Sequence, residues 1–384
     1  MEHTSQGSDV HVTHLLGPHP IIEHFLQRLD LRGIVRSFVG TGRERSIEHG
    51  EALAALVHNI LDSPAPLYRI AEWAAPIDPR AFAFTPEQKS CLNDDRVARM
   101  LDALVSERGR GIWFRLALRM IKQFKIATDR IHQDTTTVTF HGAYQGSVRE
   151  PRIVPGHNKD HRPDLKQLVF GLSVVADGAV PINHQVLSGN QSDDTVHRGN
   201  LEELRSILGR GDFIYTADCK LASTENLTEI AAHGGKFVTI LPRTRNEDKR
   251  FRQQLRVASV RWKKIMDIPN KRSEVGSPDV FYGCRAPEQS AEGFRIVWLR
   301  SSAKMRLDAA AREKRLDQAR AELTLLSNRL NRRKLSSARS IRKAVREILD
   351  HRNMKTFLDV QLKRQVREEL KRLKRGRPAA GDPV

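Results

Sequence analysis

The sequence predicts a mixed α/β core set between a helical N-terminal region and a basic, mainly helical region near the C-terminus. Three observations predict it. Apolar residues recur at helical spacing up to about residue 125, Thr- and Val-rich runs alternate with helix signals over 126–243, and positive charge accumulates on helical periodicity over 244–377, before a short tail, 378–384.

In the first region Ile21, Ile22, Phe25, Leu26 and Leu29 fall on one helical face, as do Leu53, Leu56, Val57, Ile60 and Leu61. Gly40 and the cluster Asp62-Ser63-Pro64 end these segments. Amphipathic stretches follow at Val97–Val105 and Ile112–Phe124. Such a bundle suits DNA-end binding and suits simple packing equally well. From Arg130 the period changes. Ile131–Phe140, Leu168–Val175 and Ala179–Leu187 read as strands, the last two joined by the turn Asp177-Gly178. Ser192-Asp193-Asp194 caps a helix carrying Leu201, Leu204 and Ile207 on one face. Phe213–Ala217 is a further strand, Thr224–Ala232 a helix and Phe237–Leu241 a strand. Beyond Pro242, Val280–Cys284 and Phe294–Leu299 suggest a small pair of strands. In the basic stretch Leu316, Ala319, Leu323, Leu326 and Leu330 alternate spacings of three and four, which predicts an internal helical hairpin.

Composition narrows the function classes. The chain has 384 residues, 39% of them hydrophobic, and a mean hydropathy of −0.50. No apolar run approaches the roughly 20 residues that span a bilayer, and no secretory signal opens the sequence, so the expectation is a cytoplasmic protein without a membrane partner. Cys91, Cys219 and Cys284 lie far apart without CxxC spacing, which argues against a disulfide framework and a zinc cluster. The net charge is +19, and residues 312–377 hold 22 Lys/Arg against 8 Asp/Glu, or +14 of that total. So concentrated an excess repels itself unless a polyanion is present, which points to nucleic acid.

Two acids stand out. Asp134 lies inside the first strand and Asp218 closes the fourth, in positions where aspartate is depleted. If those strands are neighbours, the carboxylates meet and can hold Mg²⁺, which takes one or two protein carboxylates and completes its shell with water and phosphate oxygens. The plainer reading is that Asp134 accepts hydrogen bonds from nearby threonines and Asp218 begins a turn. The segment from Gly156 to Gln167 is dense in polar residues. His157 and His161 are four apart, but Pro155, Gly156 and Pro163 oppose the helix a zinc site would need. Its Lys159, Arg162 and Lys166 suit phosphate contacts or a solvated loop. Arg375 and Arg377 lie in an Arg-Gly-Arg-Pro core that suits a narrow minor groove or a connecting segment.

Asp134-Thr135-Thr136, GHNKDHRPDLKQLVFGL, LSGNQSDD and YTADCKLASTEN together resemble the DDE transposases of bacterial insertion sequences. More narrowly they resemble the branch whose third acid lies in a Tyr-x2-Arg-x3-Glu-x6-Lys signature. Gly50–Leu61, Pro66-Leu67-Tyr68 and Leu92-Asn93-Asp94-Asp95-Arg96 extend the likeness over nearly the whole chain. The resemblance implies a ribonuclease H-like mixed-sheet core, with the basic, mainly helical region as an insertion. It also implies Mg²⁺ or Mn²⁺, with cleavage and strand transfer of DNA as the reaction. It makes Asp134 and Asp218 the first two catalytic acids, with transposon ends and target DNA as partners and a homo-oligomer on DNA as the assembly.

The third acid departs from the pattern. Of the four tyrosines only Tyr282 has Arg at +3, its glutamate falls one position early at Glu288, behind Pro287, and Arg295 stands where Lys is expected. Proline breaks a helix, so Glu288 is rejected and the chain is expected to be truncated before its third acid. The alternative function is a non-catalytic DNA-binding remnant of a transposase.

Overall fold

The computed structural model describes residues 14–41, 47–144, 150–157, 162–191, 193–269, 278–332 and 335–365. The chain forms two units, Met1–Arg252 and Gln253–Val384.

The first unit opens with α1 (His19–Arg28), α2 (Leu31–Val39), α3 (His49–Asp62), α4 (Ile70–Ala74), α5 (Pro86–Ser90), α6 (Asp94–Leu104) and α7 (Gly111–Phe124). Local signals set their ends. Gly40, at φ +74°, terminates α2, and the Asn93 Oδ1 that opens α6 accepts the Arg96 N–H at 2.8 Å. Ile47, Ile70, Phe82, Leu92, Val97 and Met100 form one apolar cluster. Leu26, Leu31, Ile34, Val35 and Ile112 form another.

Helix α1 differs from its apolar pattern. Ile21 is 66% exposed and Phe25 46%, whereas the buried positions are His19, Glu23 and Leu26. Polar residues occupy the inward face because they meet partners there. His58 of α3 lies 3.2 Å from His19, Nδ1 to Nδ1, and its Nε2 lies 3.3 Å from Glu23. Arg32 donates to both Glu23 oxygens at 2.8 and 2.9 Å. The network is satisfied when His58 Nε2–H donates to Glu23 and His58 Nδ1 accepts from His19 Nδ1–H. Because Glu23 reaches the far nitrogen of His58, a metal between the Nδ1 atoms would have just those two ligands from this cluster.

This packing makes stability depend on pH. Burial, then the neighbouring His58, depress the His19 pKa from 6.5 against the opposing pull of Asp62. Burial, then Arg96, depress that of His49. The folded chain therefore binds fewer protons than the unfolded chain near pH 6.5. Their contribution is present above 6.5 and is lost as pH falls through 6.5 towards the folded values. Burial raises the Glu23 pKa, but hydrogen bonds from His58 and Arg32 outweigh it and the net shift is downward from 4.5, so its contribution is lost at lower pH still. The melting temperature should fall between pH 7.5 and 5.5, and His49→Gln should flatten that fall. An unchanged melting temperature across this range would contradict the assignment.

The sheet of the first unit follows: β1 (Arg130–Phe140), β2 (Val154–Pro155), β3 (Lys166–Val175), β4 (Pro181–Ser188), α8 (Asp193–Leu208), β5 (Ile214–Thr216), α9 (Thr224–Ala232) and β6 (Lys236–Val238). The six strands run in the order β2-β3-β1-β5-β6, with β4 also paired to β3. β1 is antiparallel to β3 and parallel to β5, and β5 is parallel to β6, so the sheet is mixed. One face is closed by apolar residues of α8 and α9, with Ile131, Val175, Leu201, Leu204, Tyr215 and Ile230 buried. Inside it, Asn200 Nδ2 donates to Ser173 Oγ at 2.9 Å and to the Tyr215 hydroxyl at 2.8 Å. Burial pushes the Tyr215 phenol above its usual range.

Helix α10 (Asn246–Val257), which the sequence leaves unassigned, spans the division between the units. The second unit contains the antiparallel sheet β7-β8-β9, with β7 (Lys263–Ile268), β8 (Asp279–Gln289) and β9 (Arg295–Ser301). Two helices follow, α11 (Ser302–Ser327) and α12 (Ala338–His351). They pack as the expected hairpin. Ala319, Leu349 and Met354 are buried, with Leu316, Leu323, Val345 and Leu358 against them. Leu330, the last residue of the expected seam, lies beyond the end of α11.

Candidate active site

Asp134 sits in mid-strand on β1, whose inward residues Ile131 and Gln133 are buried while His132, Asp134 and Thr136 are exposed on the opposite face. The parallel pairing of β1 with β5 aligns Arg130 with Ile214, Ile131 with Tyr215 and His132 with Thr216. The pairing ends there, with β5 at Thr216, and Asp218 lies two residues further on, where it begins the turn Cys219–Leu221. Across the other edge of β1, Asp134 pairs with Leu172, and Leu172 with His184. One level of the sheet therefore reads His184, Leu172, Asp134.

Both carboxylates are oriented by backbone. Asp134 Oδ1 accepts the Thr135 N–H at 2.8 Å, and Asp218 Oδ1 accepts the Lys220 N–H at 2.9 Å. Thr239 Oγ1 donates to the Asp218 carbonyl, tying the end of β5 to the segment after β6. Both aspartates are exposed, and nearby Val238 and Ile240 are also open to solvent. An exposed carboxylate suits a hard cation that keeps its remaining positions for water and phosphate oxygens. Among the described residues no group of three or more His, Cys, Asp or Glu side chains is arranged to hold a metal ion. Glu288 lies on β8 of the second unit, so the Tyr282 segment forms a strand and not the helix the signature requires.

The polar segment and the LSGN turn are brought together. Gln167 Nε2, buried, donates to the Gly189 carbonyl at 2.7 Å. A Cβ on Gly189 would overlap the carbonyl oxygens of Gln167 and Val154, and one on Gly156 would overlap that of Gly189. Glycine is required at both positions for close backbone approach. Gly189→Ala should destabilise the first unit by about 1–3 kcal/mol, read by denaturant unfolding. A loss below about 0.5 kcal/mol would show that the approach relaxes easily. No sequence signal short of the motif resemblance links these three positions, which are separated along the chain and joined by β-strand pairing.

The expected phosphate contacts fare unevenly. Arg162 pairs with Asp164 at 2.7 Å, and Lys166 Nζ donates to the Tyr144 carbonyl at 3.1 Å and also to that of Ala143. Both cations are thus engaged within the chain. Lys159, Arg375 and Arg377 lie outside the described residues.

A family model described as a domain of unknown function (DUF4277) matches residues 11–118, the helical part of the first unit. No curated protein matches the chain. Solved structures similar to it are transposase–DNA complexes. One is a piggyBac transposase synaptic complex with hairpin DNA, at 11% identity and a TM-score of 0.37, over 75% of this chain and 61% of that one. Another is a Mos1 transposase paired-end complex with the left transposon end, at 13% identity and 0.21, over 52% and 60%. A third is a Mos1 mariner paired-end complex with Mn, at 11% identity and 0.22, over 59% and 79%. The chain spans about three-fifths of the length of the first two.

Proposed function

We propose that the chain is a transposase that acts on insertion-sequence DNA by metal-dependent phosphodiester cleavage and strand transfer. In this reading the mixed sheet is a ribonuclease H-like core, and Asp134 and Asp218 are its first two catalytic acids. The observation that supports it is the parallel pairing of β1, which carries Asp134, with β5, two residues beyond whose end Asp218 lies, each aspartate within its own transposase-like motif. Asp134 and Asp218 would hold the Mg²⁺ or Mn²⁺, each kept in orientation by the backbone N–H that its Oδ1 already accepts. When bound, the ion supplies positive charge against the charge that develops on the phosphoryl oxygens and the leaving oxygen. The exposed rim admits a DNA backbone without a lid. Paired transposon ends and target DNA are the partners, held by more than one copy of the chain.

A second reading, a non-catalytic DNA-binding remnant, is favoured by one observation: no third acid joins the pair among the described residues. A plasmid-nicking assay separates the two. In the first reading the 384-residue chain nicks supercoiled DNA slowly in Mn²⁺, and Glu288→Gln leaves the rate unchanged. DNA binding with no metal-dependent nicking supports the second reading. Efficient cleavage in Mg²⁺ that Glu288→Gln abolishes would contradict the assignment of the site.

A further inference from the structure

Part of the positive charge of the second unit is neutralised within it, and one face of α12 gathers a row of cations that is not. On α11, Lys304 pairs with Asp308 at 2.8 Å and Arg320 with Asp317 at 3.4 Å. Arg312 lies over the Phe357 ring at 5.6 Å. Arg352, just past α12, donates to Gln318 at 3.0 Å and to Glu322 at 3.0 Å. Arg312 and Arg352 thus tie the two arms of the hairpin together, while Lys304 and Arg320 are paired along α11 itself. Arg339, Arg342, Lys343 and Arg346 are not so engaged. All four are exposed, and their spacing of i, i+3, i+4 and i+7 gathers them in one stripe about 10 Å long. Among the described residues no acid lies within ion-pair distance of Arg339, Arg342 or Arg346, and Lys343 approaches Glu347 at 3.9 Å, a weak exposed contact. Asp350, one turn beyond Arg346, is already paired with Lys355.

The stripe is built to stay outward. The opposite side of α12 carries Ile341, Val345 and Leu349, and the last two pack with Ala319, Leu316 and Leu323 of α11. Ser337 Oγ accepts the Ser340 N–H at 3.2 Å and fixes the helix start. With its apolar side committed to the hairpin, α12 has no free hydrophobic face to sink into a lipid surface. What it presents is a rigid row of four positive charges, most of them guanidinium groups that suit phosphate oxygens.

We infer that this stripe of α12 is a docking surface for the phosphate backbone of duplex DNA, an inference that rests on the proposed function for its partner. It anchors the DNA through charge and not through base sequence, since a row of this kind reads phosphates.

The test uses the full chain and a 30-base-pair duplex in EDTA, so that the aspartate site plays no part. Binding is followed from about 50 to 300 mM salt. Each phosphate contact contributes about 0.9 to the slope of log K against log[salt]. The variant Arg339→Gln/Arg342→Gln/Lys343→Gln/Arg346→Gln should therefore have a slope shallower by about 3.6. Lys304→Gln/Lys314→Gln/Arg315→Gln/Arg320→Gln, which removes equal charge from α11, should change it by less than about 1. Arg339→Lys/Arg342→Lys/Arg346→Lys should retain most of the slope. Glutamine is a good helix former, and unchanged far-UV circular dichroism confirms that α12 persists. Equal losses in the two glutamine variants would overturn the inference, because net charge and not this face would then govern binding. An unchanged slope in the α12 variant would overturn it while leaving DNA as the partner. A wild-type chain that fails to bind the duplex, or binds phosphatidylserine vesicles instead, would overturn both the inference and the proposed function.

Discussion

Asp134→Asn should reduce Mn²⁺-dependent nicking by about 10²- to 10⁴-fold, to background for a slow enzyme, and leave duplex affinity in EDTA within about twofold of wild type. Asparagine retains the Oδ1 that accepts the Thr135 N–H, so the side chain stays in place and the negative charge alone is lost. Losing the ion removes several kcal/mol of transition-state stabilisation, and each 1.4 kcal/mol is tenfold in rate. Asp218→Asn, which likewise keeps its bond from Lys220 N–H, should match it. The double variant should be no worse than either single one, because residues acting as a unit are non-additive. Nicking that survives both substitutions would place the chemistry elsewhere.

Glu23→Ala should destabilise the first unit by about 3 kcal/mol, measured by denaturant unfolding of the full chain. The substitution leaves Arg32 without the carboxylate that accepts from both its Nη atoms and removes the acceptor beside the buried His58. Breaking a buried pair by deleting one partner costs about 3–5 kcal/mol, and the partial exposure of Arg32 favours the lower end. Glu23→Gln, which preserves volume and one acceptor oxygen, should lose less. Equal losses for alanine and glutamine would show that charge, and not packing, dominates. A loss below about 0.5 kcal/mol for alanine would show that the network contributes nothing to stability.

The parts of the fold that were legible from sequence are those where one face meets a uniform environment. β3 is a near-continuous apolar run, β1 is rich in Thr and Val, and Asp177-Gly178 marks the turn between β3 and β4, which pair as the expected hairpin. Thr224–Ala232 is a helix over the bounds the sequence suggests. β7 was not legible because all six of its residues are exposed, so Lys263-Lys264-Ile265-Met266-Asp267-Ile268 shows no alternation. The network of His19, Glu23 and His58 was illegible for the opposite reason. Its polar side chains occupy core positions whose partners are 35 and 39 residues away, and periodicity alone assigns such positions to apolar residues.

The two aspartates were visible as acids in strands, but their juxtaposition was conditional on which strands are neighbours. That depends on a crossover through α8, which sequence spacing does not set. The parallel pairing of β1 with β5 supplies the neighbour relation. The basic stretch shows the converse. Charge counting located the excess in residues 312–377, yet only side-chain pairing separates cations paired within the hairpin from those left facing outward on α12.

The central claim is that Asp134 and Asp218 share one metal ion. Anomalous diffraction from crystals soaked in Mn²⁺ tests it most directly. The account predicts a single strong peak with one carboxylate oxygen of each aspartate about 2 to 2.5 Å from it, absent from Asp134→Asn crystals. Carboxylates more than about 8 Å apart, or Mn²⁺ bound elsewhere with this rim empty, would contradict it.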